Sequence, residues 1–273
     1  MDLNGILIDR IQTVIAESMS TGDLLYALTQ VSEASIEVSA ESRDATDKDG
    51  NLIRRFWNAK TCTLTLTNTM LDLNMVASQS GTDKITAVQG TSATHFVMPR
   101  IIFADNTENN GVVTLNGESD EYIADSIQVN AMTDAGTIGA KIEANASAAT
   151  ENKYYLNASN GTIALPTSTT QTKYIVKFNR TVTADATKVI NYADKFPKQV
   201  TLTLKVLAVD PCESDVLRAM YVVFPAFNPS PESTYALSTD STFDYTGEAS
   251  YKYCDGTKVL YYIAMASEEE DEE

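Results

Sequence analysis

The chain has 273 residues, 43% of them hydrophobic, and a formal net charge of −17. That length and apolar content can build a sizeable core in one or two domains. Six of the negative charges belong to the run Glu268, Glu269, Glu270, Asp271, Glu272 and Glu273, leaving −11 on the body, a surface that repels phosphate and excludes DNA binding by counterion release. The first apolar residues, Leu3, Ile6, Leu7, Ile11, Val14, Ile15 and Met19, recur at three and four, which predicts an N-terminal amphipathic helix with Asn4 or Gly5 near its start. Ser20-Thr-Gly-Asp23 breaks it, and Leu24 to Leu28 is read as a short second turn.

From Ser35 the period becomes two. Ile36, Val38 and Ala40 alternate with Ser35, Glu37, Ser39 and Glu41. A polar loop, Arg43 to Asn51, leads to Leu52-Ile-Arg-Arg-Phe-Trp57 and then to Thr61-Cys-Thr-Leu-Thr-Leu-Thr67. There threonine takes every outward place, and Cys62, Leu64 and Leu66 point inward. Met70 to Ala77 predicts a short helix ended by Gly81. Between about Arg100 and Val182 the composition shifts to Asn, Thr, Ser and Ala. Asn110-Gly111, Asn116-Gly117 and Asn160-Gly161 mark turns between short strands such as Gly111–Leu115 and Lys173–Phe178. This segment is expected to be an inserted β-sandwich module, Ig-like, at 100–182. A β domain would then comprise 1–99 and 183–273. A continuous two-domain order is the rival.

Val200 to Val206 alternates again, with Val200, Leu202, Leu204 and Val206 on one face. After Asp210-Pro211, Arg218 to Phe224 is a second apolar run, closed by Pro225. Ala249–Cys254 and Thr257–Ala264 flank Asp255-Gly256, a dipeptide suited to a two-residue hairpin turn. The fold class is mainly β: an antiparallel sandwich or barrel with a flanking short helix, the N-terminal helix and the inserted module.

The chemistry of known catalytic sites has little to build on. One histidine, His95, stands against a triad, a Cys-His pair or a multi-histidine metal site. No Gly-rich phosphate loop follows a strand. Asp44, Asp47, Asp49 and Asn51 open like a calcium loop, but Leu52 takes the place of the sixth-position glycine and Asn58 that of the twelfth-position glutamate. A hairpin loop explains them more simply. No cofactor and no metal are expected, and the protein is read as no enzyme. No stretch reaches the roughly 20 apolar residues that span a bilayer, and the N-terminus lacks a signal peptide's basic region. The three scattered cysteines, Cys62, Cys212 and Cys254, suit a reducing compartment. Tyr245, Tyr251, Tyr253, Tyr261 and Tyr262 and the Phe224-Pro-Ala-Phe227 loop suit either core packing or an interface.

Two blocks carry a resemblance. One runs from Ala34-Ser-Ile-Glu-Val-Ser-Ala-Glu-Ser42 through the threonine-rich strand to the Met70 helix. The other runs from Asn191-Tyr-Ala-Asp-Lys-Phe-Pro-Lys198 through Leu207-Ala-Val-Asp-Pro-Cys212 and Val223-Phe-Pro-Ala-Phe-Asn-Pro-Ser-Pro231 to Gly247-Glu-Ala-Ser-Tyr-Lys-Tyr-Cys254. In pattern they resemble bacteriophage tail tube (major tail) proteins. The resemblance implies a virion protein of the tail, made in the host cytoplasm. Copies would join sheets edge to edge into rings, commonly six-membered in that family, and the rings would stack into a conduit for DNA during ejection. Partners would be further copies and other tail proteins such as sheath or terminator, with no membrane and no specific DNA binding. Contacts between copies fall to Phe56, Trp57, Met70, Leu71, Phe224 and Phe227. Glu37, Ser39, Thr61, Thr63 and Thr65 suit a wetted bore or an outer face, and the inserted sandwich would project outward. A capsid decoration or head-fibre protein, which would bind preformed capsids, is the nearest alternative. A carbohydrate-binding adhesive module is another, for which Trp57 is the only indole platform.

Overall fold

The computed structural model describes residues 5–118, 120–133, 135–211, 213–252 and 256–269. The chain divides into two compact units: a body, Met1–Lys84 with Val189–Glu273, and an insert, Ile85–Lys188. In the body the first strands are β1 (Leu7–Ser18), β2 (Leu24–Leu28), β3 (Val31–Thr46) and β4 (Leu52–Asn68), followed by helix α1 (Leu73–Gln79). The insert contributes β5 (Ile85–Thr86), β6 (Phe96–Asp105), β7 (Val112–Thr114), β8 (Asp120–Tyr122), β9 (Gln128–Met132), β10 (Ile138–Asn145), β11 (Lys153–Asn157), β12 (Thr162–Ala164), β13 (Lys173–Val182) and β14 (Thr187–Lys188). The body resumes with β15 (Val200–Asp210), β16 (Glu213–Pro229), β17 (Phe243–Ala249) and β18 (Tyr262–Glu269).

The body is one antiparallel sheet in the order β2-β1-β15-β16-β17-β4-β3, with β18 also on β16. β1 and β3 approach each other, so the sheet curls into a nearly closed barrel. Its inside is filled by the residues that alternation points inward: Val14 and Ala16, Cys62, Leu64 and Leu66, Val200, Leu202 and Leu204, and Phe224 and Phe227. Tyr26 and Tyr245 meet edge to face in this core, and the Tyr26 hydroxyl donates to Tyr245 Oη at 2.5 Å. Burial pushes the Tyr26 phenol up to about 12. α1 starts where the Asp72 carboxylate accepts the Asn74 and Met75 amides at 2.8 Å each, and it buries Met75. Gly81, at φ +65°, then turns the chain where any Cβ would overlap the Phe196 carbonyl.

Four expectations give way here. Residues 7–18 form strand β1, not an amphipathic helix. Register shifts between Ile8 and Arg10 and between Ile11 and Thr13 place extra residues in the strand, so a period of two reads as three and four in sequence. Leu24–Leu28 is not a turn but a strand on β1, with Tyr26 and Leu28 buried. Pro225 does not close β16. It sits in the register shift between Leu202↔Phe224 and Val200↔Phe227, where no ladder amide is required, and its carbonyl accepts the Thr201 hydroxyl at 3.1 Å.

Fourth, β17 and β18 do not pair with each other. They lie end to end along β16, β17 at Phe227–Pro229 and β18 at Arg218–Val223, because a 17-residue strand offers both an edge that a local turn cannot match. Gly256 has φ +67°; Tyr253, Cys254 and Asp255 lie outside the described residues, as do Cys212 and the acidic positions 270–273.

The insert runs β6-β13-β9-β10-β11-β12-β7, with β8 on β13. Among the described residues its one parallel step joins Glu143–Asn145 of β10 to Lys153–Tyr155 of β11. The path folds back on itself around Val113, Leu115, Val129, Ile163, Tyr174, Val176 and Phe178. Asp120 is nearly enclosed between Arg180 and Arg100.

Candidate assembly surfaces

Two surfaces of the body are built from β3 and β4. On the outer face of the barrel, register aligns β3, β4 and β17 in rows: Glu33–Thr67–Asp244, Ser35–Thr65–Thr246 and Glu37–Thr63–Glu248, with Ser39 opposite Thr61. Hydroxyls tie the rows together. Ser39 Oγ and Thr61 Oγ1 are 2.8 Å apart, and Thr67 Oγ1 donates to Asp244 Oδ1 at 3.0 Å. The rows hold four carboxylates and no cation. Neighbouring strands are about 4.8 Å apart, so the carboxylates flanking Thr67 and those flanking Thr63 stand about a Debye length apart and their fields add. This face is hydroxylated and negative.

The second surface is the hairpin tip. Beyond Cys62 and Val38 the two strands leave the barrel, and no residue from Ser39 to Thr61 is buried. At about 3.4 Å per residue, the stretch from Ala40 to Thr46 makes an arm of roughly 25 Å. Leu52, Ile53, Phe56 and Trp57 on it are 55%, 69%, 42% and 63% exposed. Three of the chain's seven arginines are here, in an otherwise acidic protein. Arg43 and Arg54 lie over the Phe56 ring at 5.7 and 5.1 Å, and Arg55 over Trp57 at 5.8 Å. Arg55 also grips Asp44 with two nitrogens, at 2.7 and 2.9 Å. Those bonds hold the Asp44 carboxyl below its ordinary range. At the tip the Asp47 carboxylate accepts the amides of Asp49 and Asn51 and the Asn51 side chain. The calcium-like residues therefore close a turn on themselves.

The expected contact residues separate. Phe56 and Trp57 project from opposite faces of the arm, as adjacent strand residues must. Met70 and Leu71, 61% and 40% exposed, sit where β4 leads into α1. Phe224 and Phe227 are fully buried in the body's own core, their rings 5.9 Å apart, and cannot reach a neighbour. The bulge at Pro225 turns both inward, so what reads as a loop is barrel wall. Glu37, Ser39, Thr61, Thr63 and Thr65 do share one face.

A family model describing the YomU/Tube protein family matches residues 6–258, nearly the whole chain. The chain belongs to that family. Its members are structural phage proteins of the tail tube, not known as enzymes, and the resemblance carried by the two sequence blocks is borne out. Membership puts the protein in the virion tail, in the setting of self-assembly and of other tail proteins. No curated protein matches the chain. In this tube family chain, sequence reasoning missed Glu33, Asp244 and Glu248 as parts of the acidic face, because only pairing brings β17 beside β4. It also missed the arginine–aromatic stack. The signal for that was available in Arg54-Arg55-Phe56-Trp57, a run too cationic for a core strand.

Proposed function

We propose that the protein assembles with further copies into closed rings, six-membered in the simplest case, that stack into the tail tube through which phage DNA passes on ejection. The observation that carries this reading is the face of Glu33, Glu37, Asp244 and Glu248 set among Ser35, Ser39 and Thr61 to Thr67. Turned to the axis of a ring, it makes a bore that repels the phosphate backbone while its hydroxyls keep water in place, so DNA slides without sticking. The arm supports the same reading from the other side. A hairpin with Leu52, Ile53, Phe56 and Trp57 in water gains free energy only when something covers it. An arm that meets a different part of the next copy makes a heterologous contact, which generates rings or stacks according to its rotation. Met70 and Leu71 add to that contact. Negative-stain imaging of the purified protein tests the reading: hollow tubes or stacked rings support it, and particles that decorate only preformed capsids refute it.

A further inference from the structure

The insert has an outer face for which rings and a bore give no use. β6 pairs with β13 over ten consecutive residues without a register shift, from Phe96↔Val182 to Asp105↔Lys173, and among the described residues nothing pairs with its other side. Its alternate residues Met98, Arg100, Ile102 and Ala104 are half-buried, whereas Val97, Pro99, Ile101 and Phe103 face out. Val97, Ile101 and Phe103 are 48%, 56% and 68% exposed. Free edge strands are normally guarded by charge or proline, and on β6 Pro99 is such a guard at one position. Here every outward residue before Asp105 is apolar, and Ile175 on β13, opposite Phe103, widens the strip. Cations frame it: Lys177 opposite Ile101 and Lys173 opposite Asp105. None of the ion pairs among the described residues involves Lys177.

A complementary occupant is an apolar strand edge that runs into carboxylates, and this chain has one. β18 pairs with β16 alone among the described residues, and its Tyr262 and Ile263 are 49% and 58% exposed. It leads directly into the acid run 268–273. We infer that the free edge and outer face of β6 dock β18 and the acid run of a second copy of this chain. Except at Pro99, which has no amide to donate, the two edges supply each other's missing ladder bonds, as in strand addition. The apolar strip covers Tyr262, whose neighbour Ile263 points to the opposite face of β18, and Lys173 and Lys177 meet the acid run. This goes beyond the ring-and-bore reading, since it gives the insert a partner whether or not a bore forms.

The test is zero-length carbodiimide cross-linking of a mixture of isotopically labelled and unlabelled full-length protein, read by mass spectrometry. Cross-links from Lys173 or Lys177 to residues 268–273 that join a labelled to an unlabelled peptide are expected. The double change Lys173→Glu and Lys177→Glu should weaken association by about tenfold, as like charges replace complementary ones. Changing the six acidic residues of 268–273 to lysine in that background should restore it. Phe103→Glu should remove the cross-links while the monomer's thermal midpoint stays in place, because Phe103 already stands in water. Links confined to single-isotope pairs would mean that the acid run meets its own copy, and would overturn the inference. So would rings or tubes that assemble without these links. Mixed-isotope links without rings leave this contact standing and remove the ring reading instead.

Discussion

At its root the β3–β4 hairpin buries Cys62, Leu64 and Leu66, while toward its tip the same two strands bury nothing. The two strands pair in both regions, with a register shift between Ala40↔Lys60 and Ser42↔Trp57 where the arm leaves the barrel, so the presence of ladder bonds does not by itself distinguish them. At the root, alternation separates leucine from threonine because one face has a core to fill. Along the arm it breaks down into Leu52-Ile-Arg-Arg-Phe-Trp57, where apolar and cationic residues lie on both faces. A two-stranded ribbon without a core is marginal in water. The contrast teaches that the root is specified by the monomer and the arm by what the monomer meets.

Substitutions can break that contrast in order of size. Leu64→Lys puts an unpaired charge into a fully buried site, and a loss of several kcal/mol is expected, enough to unfold the body. Thr65→Ser, one residue on and facing out, should leave the denaturation midpoint nearly unchanged; equal effects would reverse the assignment of faces. Phe227→Ala should cost about 3–5 kcal/mol in chemical denaturation, as a core aromatic does, and should not act selectively on assembly. Trp57→Ala should do the opposite. Its effect on monomer stability should stay within about 0.5 kcal/mol, while association measured by sedimentation weakens by about 2 kcal/mol if the indole is an anchor.

The smallest effect sharpens the electrostatics of the arm. Asp44 is held below its ordinary value by the Arg55 bonds, so its folded form favours the carboxylate. That contribution is complete above the unfolded carboxyl value and is lost as pH falls through the depressed folded one. Arg55→Ala should return the Asp44 titration, followed by carboxyl-carbon NMR, to the ordinary carboxylate range. An unmoved titration would show that the guanidinium does not hold Asp44 in solution.

Strands that follow one uninterrupted period were legible in the sequence. Val200 to Val206 and Thr61 to Thr67 are buried and exposed as alternation requires. What failed did so where an added residue or a distant partner decides. The bulges in β1 turn a strand's period into a helix's, and the bulge at Pro225 hides the continuation of β16. The Asp255-Gly256 turn signal is local, whereas β17 finds its partners in β4 and β16 and β18 finds its own in β16. The site divides in the same way. Glu37, Ser39 and the threonines are visible as one face of one hairpin, but Asp244 and Glu248 join them only through a pairing nearly 180 residues apart in sequence.

The most direct test is a cryo-EM reconstruction of the assembled protein that locates the strand rows carrying Glu33, Glu37, Asp244 and Glu248. These carboxylates are expected to face the axis of a hollow tube, with the β3–β4 arm seated on an adjacent copy. A tube with these carboxylates on its outer wall, or a protein that stays a single particle at high concentration with its arm in water, would contradict the account.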